Sequence, residues 1–308
     1  MMKKLFSFSL GLLLISSVHA TVYFTDHFDY STGNLGTVGS AAGWNNSNSG
    51  VTVTTGSLDG TGLGLEASSG NKVTTTTASS SGTYNQFSSG IPTGVVYFSS
   101  LLRVNSTAGL SSGGQVITGL IRAGSQSSYY IDIVLKLNGS NVEVGLAKYR
   151  QVTNWYGAPL SVGNTCLIVG KYEFVSGSNN DRVSLWVNPA ALGGSEPGAD
   201  VSFTNGGDGN TSTGIGRYFI YGGAAVDVDE VRIGSTWAEA TTFGRSVAAS
   251  HADALYHQYT DDRCGTGAAG HQRASQWTIR GAGHDQCGAA AGPVARDRNQ
   301  PLRRGRQF

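Results

Sequence analysis

Residues 165–189 read TCLIVGKYEFVSGSNNDRVSLWVNP, and this stretch decides the fold. It begins with a run rich in β-branched and apolar residues at 165–175 and ends with a second such run at 182–188. The residues between the runs are Ser, Gly and Asn, which favour tight turns. The stretch therefore predicts two strands joined by a short turn.

The same pattern continues in both directions, from residue 21 to about residue 242. Residues 51–55 and 71–77 alternate with a period of two, and Asn138-Gly139 is a strong hairpin signal. Further strands are predicted at 95–104, 115–122, 129–137, 141–148, 200–204, 215–221 and 226–233. No long helical segment separates them, so parallel crossovers are excluded and two antiparallel sheets packed face to face are predicted.

Composition and charge agree with one large β domain at 21–242. The chain has 308 residues, of which 45 are Gly, and only 13% are charged. Residues 21–242 carry ten basic and fifteen acidic side chains, a net charge of −5, whereas residues 243–308 carry nine Arg and five Asp. A mildly acidic body does not favour a nucleic-acid partner, so none is expected.

The first twenty residues have the features of a signal peptide. Lys3 and Lys4 precede an apolar run at 5–15, and Val18-His19-Ala20 ends in a small residue. The run is shorter than the roughly 20 residues of a transmembrane helix. We therefore expect cleavage near Ala20, no membrane span in the mature chain, and a secreted or cell-surface location.

Residues 243–308 differ from the body and are interpreted as a disordered tail rich in Arg, Gly and Ala. Because this segment lacks Lys and strand alternation, we also hypothesise that it is the product of a frameshift. Cys264 and Cys287 lie in it, and the remaining cysteine, Cys166, is predicted to be a buried free thiol.

The body resembles a known class of domain at three places. They are residues 165–189, the opening FTDHFDY at 24–30 and the closing VDVDEVRIGSTW at 226–237. Together they resemble laminin-G-like, concanavalin-A-like jelly-roll domains of secreted bacterial surface proteins. The resemblance implies an all-β, two-sheet antiparallel jelly roll. It also implies an exported module that binds a glycan or surface polymer, or a structural component of the envelope.

Catalytic motifs are not apparent in the body. A Glu-x-Asp-x-x-Glu strand, which would place paired carboxylates on one face, is missing, as is a Gly-x-Ser-x-Gly motif. The acids Asp132, Glu143 and Glu173 are interpreted as solvent-facing strand positions. The sequence thus predicts a protein that is not an enzyme, with a polysaccharide-acting hydrolase, or an accessory domain of one, as the rival interpretation.

Candidate ligand-binding residues are aromatic, because a sugar's apolar face stacks on an aromatic ring. Asn154, Trp155 and Tyr156 form the best loop candidate, and Trp44 is the second. Packing at the ends of the sandwich is the alternative for both tryptophans. Trp186 and Trp237 are predicted to be packing residues.

The resemblance also implies a structural calcium ion where the first and last strands meet. Asp229 occupies the matching place in the last strand, and Asp26 is the nearest acid in the first. His27 stands where related domains place an acid, and Asp229 could instead pair with Arg232 or cap a turn. No other cofactor is expected, and the protein is expected to be a monomer.

Overall fold

The computed structural model describes residues 20–46, 48–78, 81–209 and 212–242. These residues form an all-β sandwich of two antiparallel sheets, as the sequence predicted. The predicted signal peptide, apart from Ala20, and the predicted tail at 243–308 lie outside the described residues. The predictions made for those two segments stay predictions.

The larger sheet has nine strands, in the spatial order β14-β13-β12-β7-β16-β5-β4-β2, with β1 also paired to β16. The strands of this sheet are β1 (Val22–Asp26), β2 (Gly33–Asn34), β4 (Val51–Thr54), β5 (Lys72–Thr75), β7 (Val95–Val104), β12 (Thr165–Glu173), β13 (Arg182–Val187), β14 (Val201–Phe203) and β16 (Val226–Gly234). The first and last strands are thus neighbours in the nine-stranded sheet.

The smaller sheet has seven strands, in the order β11-β10-β9-β8-β15-β6-β3. Its strands are β3 (Trp44–Asn45), β6 (Gly82–Ile91), β8 (Gln115–Arg122), β9 (Tyr129–Asn138), β10 (Asn141–Lys148), β11 (Val152–Leu160) and β15 (Ile215–Tyr221). β11 forms one edge of this sheet and pairs with β10 alone.

The main core lies between the sheets and is built by alternate residues of the facing strands. Phe98 and Leu102 of β7 and Ile133 and Leu135 of β9 belong to it, and all four are fully buried. Side chains on one face of a strand recur every second residue, so the residues next to these in the sequence must face away from the core. This alternation defines an outer face on each sheet.

A bulge in β16 keeps its apolar residues in the core. Val228 and Val231 both pack between the sheets although they are three residues apart. Glu230 takes a positive φ of 50°, and the pairing with β7 shifts between Asp229 and Arg232. One extra residue is thereby accommodated, which restores the period of two after it.

The outer face of the nine-stranded sheet is covered by the helix α2 (Trp237–Thr241). Thr236 and Glu239 form a capping box at its start, which satisfies backbone N–H groups that the helix leaves free. Trp237 packs on Trp186 with ring centroids 4.9 Å apart, and both are buried, as predicted. A second short helix, α1 (Leu35–Val38), precedes β3. In the part of the chain that the structure describes, no helix has the length and apolar character needed to cross a bilayer.

Candidate functional site on the outer face of the seven-stranded sheet

The outer face of the seven-stranded sheet carries a cluster of aromatic residues. On β15, Tyr218 and Ile220 point into the main core, so Phe219 and Tyr221 point outward. Phe219 packs edge-on against Tyr129, with ring centroids 5.5 Å apart, and against Tyr221, at 5.4 Å. Phe219 is fully buried, so it forms an apolar floor beneath the tyrosines.

Three tyrosine hydroxyls converge above this floor. The Tyr129 hydroxyl lies 2.9 Å from that of Tyr221, and the Tyr84 hydroxyl lies 3.5 Å from the same oxygen. The hydroxyls of Tyr84 and Tyr129 also lie 3.3 and 2.9 Å from the backbone carbonyl of Gln126, in the loop between β8 and β9. Each hydroxyl has one proton and can donate it either to this carbonyl or to Tyr221. The three residues come from β6, β9 and β15, and strand pairing alone brings them together. We call Tyr84, Tyr129 and Tyr221 the tyrosine cluster.

Tyr221 is the most acidic member of the tyrosine cluster. Burial alone would raise its pKa, but hydrogen bonds with Tyr129 and Tyr84 and the charge of Arg150 lower the pKa below its ordinary value. Burial and the bond to Tyr221 instead raise the pKa of Tyr129 to about 12. Separated pKa values of this kind suit one phenol for taking a proton and another for giving one.

Arg150 lies directly over the tyrosine cluster. Its guanidinium carbon is 3.2 Å from the centroid of the Tyr129 ring and 5.4 Å from that of Tyr221. Residues 149–151 connect β10 to β11, and the first two of them, Tyr149 and Arg150, have positive φ values of 51° and 54°. A guanidinium stacked on aromatic rings at a turn is well placed to bind an anionic group.

Asp132 lies beneath Arg150 and forms an ion pair with it. It lies on β9 between Ile131 and Ile133, which face the core, so its side chain points to the outer face. Its Oδ2 accepts a hydrogen bond from Arg150 Nε at 2.9 Å, and the carboxyl group is fully buried. Burial raises the pKa of Asp132 to about 7, although the charge and hydrogen bond of Arg150 oppose the rise.

Trp155 stands on the same outer face, at the edge of the sheet. Its ring covers Gly145 of β10, where an added Cβ would lie 2.6 Å from the ring. Lys136 Nζ lies 4.0 Å from the centroid of the Trp155 ring and 3.1 Å from Glu143 Oε2. The partly exposed indole and the ammonium form a second group of polar and aromatic contacts, the tryptophan patch of Lys136, Glu143 and Trp155.

The aromatic residues predicted to bind a ligand therefore lie in different parts of the structure. Trp155 lies on strand β11 and not on a loop, and it reaches the outer face; Asn154 is partly buried beside it. Tyr156 points the other way and packs against the main core. Trp44 is a correction to the prediction: it lies on β3, is only 1% exposed, and donates its indole N–H to Asp26 at 2.7 Å, so no ligand can stack on it.

The two predicted calcium ligands lie on opposite sides of the nine-stranded sheet. Asp26 bonds Trp44 and Tyr30 on the core side, whereas Asp229 accepts from the backbone N–H of Leu58 on the outer side. As placed, they do not form one shared ligand set. Among the described residues, no group of three or more His, Cys, Asp and Glu side chains is arranged to hold a metal. A calcium ion at either carboxylate stays a prediction.

Two of the acids predicted to face solvent are in fact buried. Asp132 is fully buried and Glu143 is 9% exposed, each with a basic partner on the same face. Cys166 is a buried free thiol, as predicted, and burial raises its pKa to about 12.

No family model and no curated protein sequence match this chain. Among solved structures, alginate lyase Aly36B in complex with alginate tetrasaccharide matches with 12% identity and a TM-score of 0.47, over 70% of this chain and 96% of that chain. An endo-beta-1,4-glucuronan lyase from the fungus Trichoderma reesei matches with 13% identity and a TM-score of 0.41, over 71% and 92%. The carbohydrate recognition domain of Emp46p matches with 8% identity and a TM-score of 0.39, over 68% and 96%.

This likeness is one of fold only, and the two-sheet antiparallel sandwich that the sequence predicted is shown by the strand pairing itself. The narrower laminin-G-like assignment stays a prediction. The prediction that the chain is not an enzyme is corrected, because matching structures include two polysaccharide lyases.

Proposed function

We propose that this chain is a carbohydrate-active protein that binds an acidic polysaccharide on the outer face of the seven-stranded sheet and cleaves it by β-elimination. The observation that carries the proposal is that the hydroxyls of Tyr84 and Tyr129 lie within 3.5 Å of the Tyr221 hydroxyl, with the Arg150 guanidinium over the Tyr221 ring. Elimination from a uronate needs a base, an acid and a cation that neutralises the carboxylate. The cluster supplies one group for each role.

Hydrolysis is less well supported by the same face. A glycosidase needs two carboxyl groups about 5–9.5 Å apart across the scissile bond. Asp132 and Glu143 are the outward-facing acids of β9 and β10, and Glu143 lies opposite Lys136, four residues from Asp132. At about 3.3 Å per residue this separation is roughly 13 Å. Asp132 is also fully buried beneath Arg150, so it cannot reach a glycosidic oxygen.

The elimination step is balanced without water. The Tyr221 phenolate removes the proton from C5, the carbon next to the carboxylate, and the electron pair forms a C4–C5 double bond. The bond from C4 to the glycosidic oxygen breaks, and this oxygen takes a proton from the hydroxyl of Tyr129. Arg150 neutralises the carboxylate, which makes the C5 proton more acidic.

The tryptophan patch would bind the polymer at a distance from the cleavage point. Lys136 lies four residues from Asp132 on the same face of β9, about 13 Å away, which is more than one sugar residue. The Trp155 ring gives a surface for the apolar face of a sugar, and Lys136 gives a charge for its carboxylate. An extracellular polymer also suits the predicted export of the chain.

The test is to incubate the purified protein with alginate, polygalacturonate and a neutral glucan. Absorbance of unsaturated uronates and the release of reducing ends are followed together. Both signals should rise with a polyuronate and neither with the glucan. Reducing ends without unsaturated products would mean hydrolysis, and retention on a polymer gel without either product would mean binding alone; each result would overturn the proposed reaction.

A further inference from the structure

Only one of the two carboxyl oxygens of Asp132 forms a hydrogen bond among the described residues. Oδ2 is bonded to Arg150 Nε at 2.9 Å, while Oδ1 is buried and has no hydrogen-bond partner among the described residues. A buried carboxylate oxygen without a donor is costly, and such oxygens are rare in folded proteins. This arrangement suits a carboxyl group that carries a proton during part of its working cycle.

The surroundings of Asp132 leave Arg150 as its one charged partner within the described chain. Its neighbours on the adjacent strands are Gly119 of β8 and Ala147 of β10, which carry no polar side-chain atoms. The nearby titratable groups are Tyr129 and Tyr221, and Arg150 lies over both.

The next cations along the chain are engaged elsewhere. Lys148 is fully buried and bonds the carbonyl of Thr204 and the carboxylate of Asp208, while Lys136 bonds Glu143. If Arg150 were drawn away, Asp132 would therefore lose its only compensating charge.

A second ion pair, between Arg103 and Asp227, differs from the pair of Arg150 and Asp132 in how its carboxylate is hydrogen-bonded. Arg103 and Asp227 lie on the outer face of the nine-stranded sheet, with burial close to that of Arg150 and Asp132. Both carboxylate oxygens of Asp227 are used, one by Arg103 Nη2 at 2.5 Å and the other by the Thr74 hydroxyl at 2.7 Å. Asp227 therefore remains bonded when its arginine moves, and Asp132 does not.

We propose that the carboxylate of a uronate displaces Asp132 from Arg150, and that Asp132 takes up a proton in the exchange. This inference rests on the proposed function and adds a specificity rule to it. Arg150 selects acidic sugars, and Asp132 is a positioning residue that holds Arg150 over the tyrosine cluster until the substrate arrives. No bond between heavy atoms changes: as the guanidinium leaves, an O–H bond forms at the Asp132 carboxylate, and hydronium or a buffer acid gives up the proton for it.

The direction of the pH effect follows from the two states. Arg150 is the group that holds the pKa of Asp132 down against burial, so the pKa must rise further when the guanidinium turns to the substrate. Above the pKa that Asp132 has in the free protein, binding of the substrate is therefore linked to the uptake of a proton by Asp132. With that pKa at about 7, the affinity falls about tenfold between about pH 6 and about pH 8.

The experiment measures binding of alginate oligosaccharides by calorimetry with the full chain, at about pH 6, 7 and 8 and in buffers of different ionisation enthalpy. The Tyr221→Phe variant is used so that the sugar is not cleaved. We expect weaker binding at higher pH and an uptake approaching one proton per site at about pH 8. Asp132→Asn should abolish both the pH dependence and the proton uptake, and Asp227→Asn, the matched control, should change neither.

Carboxyl-reduced alginate separates this inference from the proposed function. If the protein binds neither polymer, the proposed function fails. If it binds both equally, the sugar-binding face stands and carboxylate recognition by Arg150 is overturned. Selective binding of alginate with no proton uptake would overturn the role of Asp132 alone. Circular dichroism of the Asn variants checks that both fold.

Discussion

Tyr221 illustrates how the reactivity of a side chain depends on its neighbours. A phenol normally loses its proton near pH 10. Here two further phenols can donate to the Tyr221 oxygen, and the guanidinium of Arg150 lies 5.4 Å from its ring, so the anionic form is stabilised. Phe219, beneath these rings, offers no competing polar atom.

Replacing Tyr221 with Phe is therefore expected to abolish cleavage while the fold is retained. The substitution removes one hydroxyl and keeps the ring that packs on Phe219. General-base catalysis contributes about 10²–10⁴-fold, so kcat for alginate should fall by at least about 10²-fold. The control is Tyr97→Phe, which removes a hydroxyl bonded to Glu196 on the other sheet. Equal losses in both variants would mean that Tyr221 acts through stability.

The sequence could not identify this cluster, because its members are separated by long stretches of chain. Tyr84, Tyr129, Arg150 and Tyr221 lie on three strands and one turn that pairing brings together. Asp132 was assigned to solvent because alternation fixes which face a residue takes but not what covers that face. Trp155 was singled out because an aromatic residue beside Asn and Gly is a local signal, but it lies on strand β11 instead of a loop, and its role in binding stays a prediction.

The turn between β10 and β11 has a strained backbone at the residues that position Arg150 over the tyrosine cluster. Tyr149 and Arg150 both adopt left-handed backbone conformations, which Asn and Gly adopt at lower cost. Gln151 N donates to Lys148 O at 3.0 Å and closes the turn. Residues held in such conformations occur often at functional sites, where a side chain must be aimed.

Tyr149→Asn is expected to stabilise the protein without loss of cleavage. Asn tolerates the left-handed conformation, so the free energy of unfolding should rise by about 0.5–1 kcal/mol, as measured by urea denaturation. Arg150 keeps its position, and activity on alginate should stay unchanged. Val175→Asn, at an exposed site with ordinary backbone geometry, is the control and should bring no gain. A less stable Tyr149→Asn protein would show that the turn is not strained.

Strand prediction succeeded where apolar alternation was uninterrupted. β7, β8, β10 and β15 have the predicted bounds, because each alternates core residues with residues of the outer face. β11 was taken as a loop, since Asn154, Gly157 and Pro159 are poor strand formers. An edge strand tolerates such residues, because one of its sides has no partner in the sheet.

For the molecule as a whole, two buried carboxyl groups make stability depend on pH. Burial raises the pKa of Asp132 to about 7 and that of Asp229 to about 8. In the unfolded chain both would titrate near 3.9. Between these values the folded protein binds more protons than the unfolded chain, so the free energy of unfolding falls as pH rises.

Urea denaturation between about pH 4 and about pH 8 should reveal this fall. Asp132 alone contributes up to about 1.4 kcal/mol per pH unit until about pH 7, after which its contribution is constant. Asp132→Asn should make the slope shallower over that range than in the parent protein. An unchanged slope in Asp132→Asn would mean that Asp132 is ionised throughout.

The pairing of the first and last strands also determines how the body would respond to mechanical force. Ser235 N bonds Thr21 O at 3.0 Å, and Val22 pairs with Gly234, so the start of β1 and the end of β16 lie side by side. A tension applied there would open β1 from β16 one hydrogen bond at a time. The seven-stranded sheet lies outside this line of force, so its outer face would keep its shape while the attachment begins to yield.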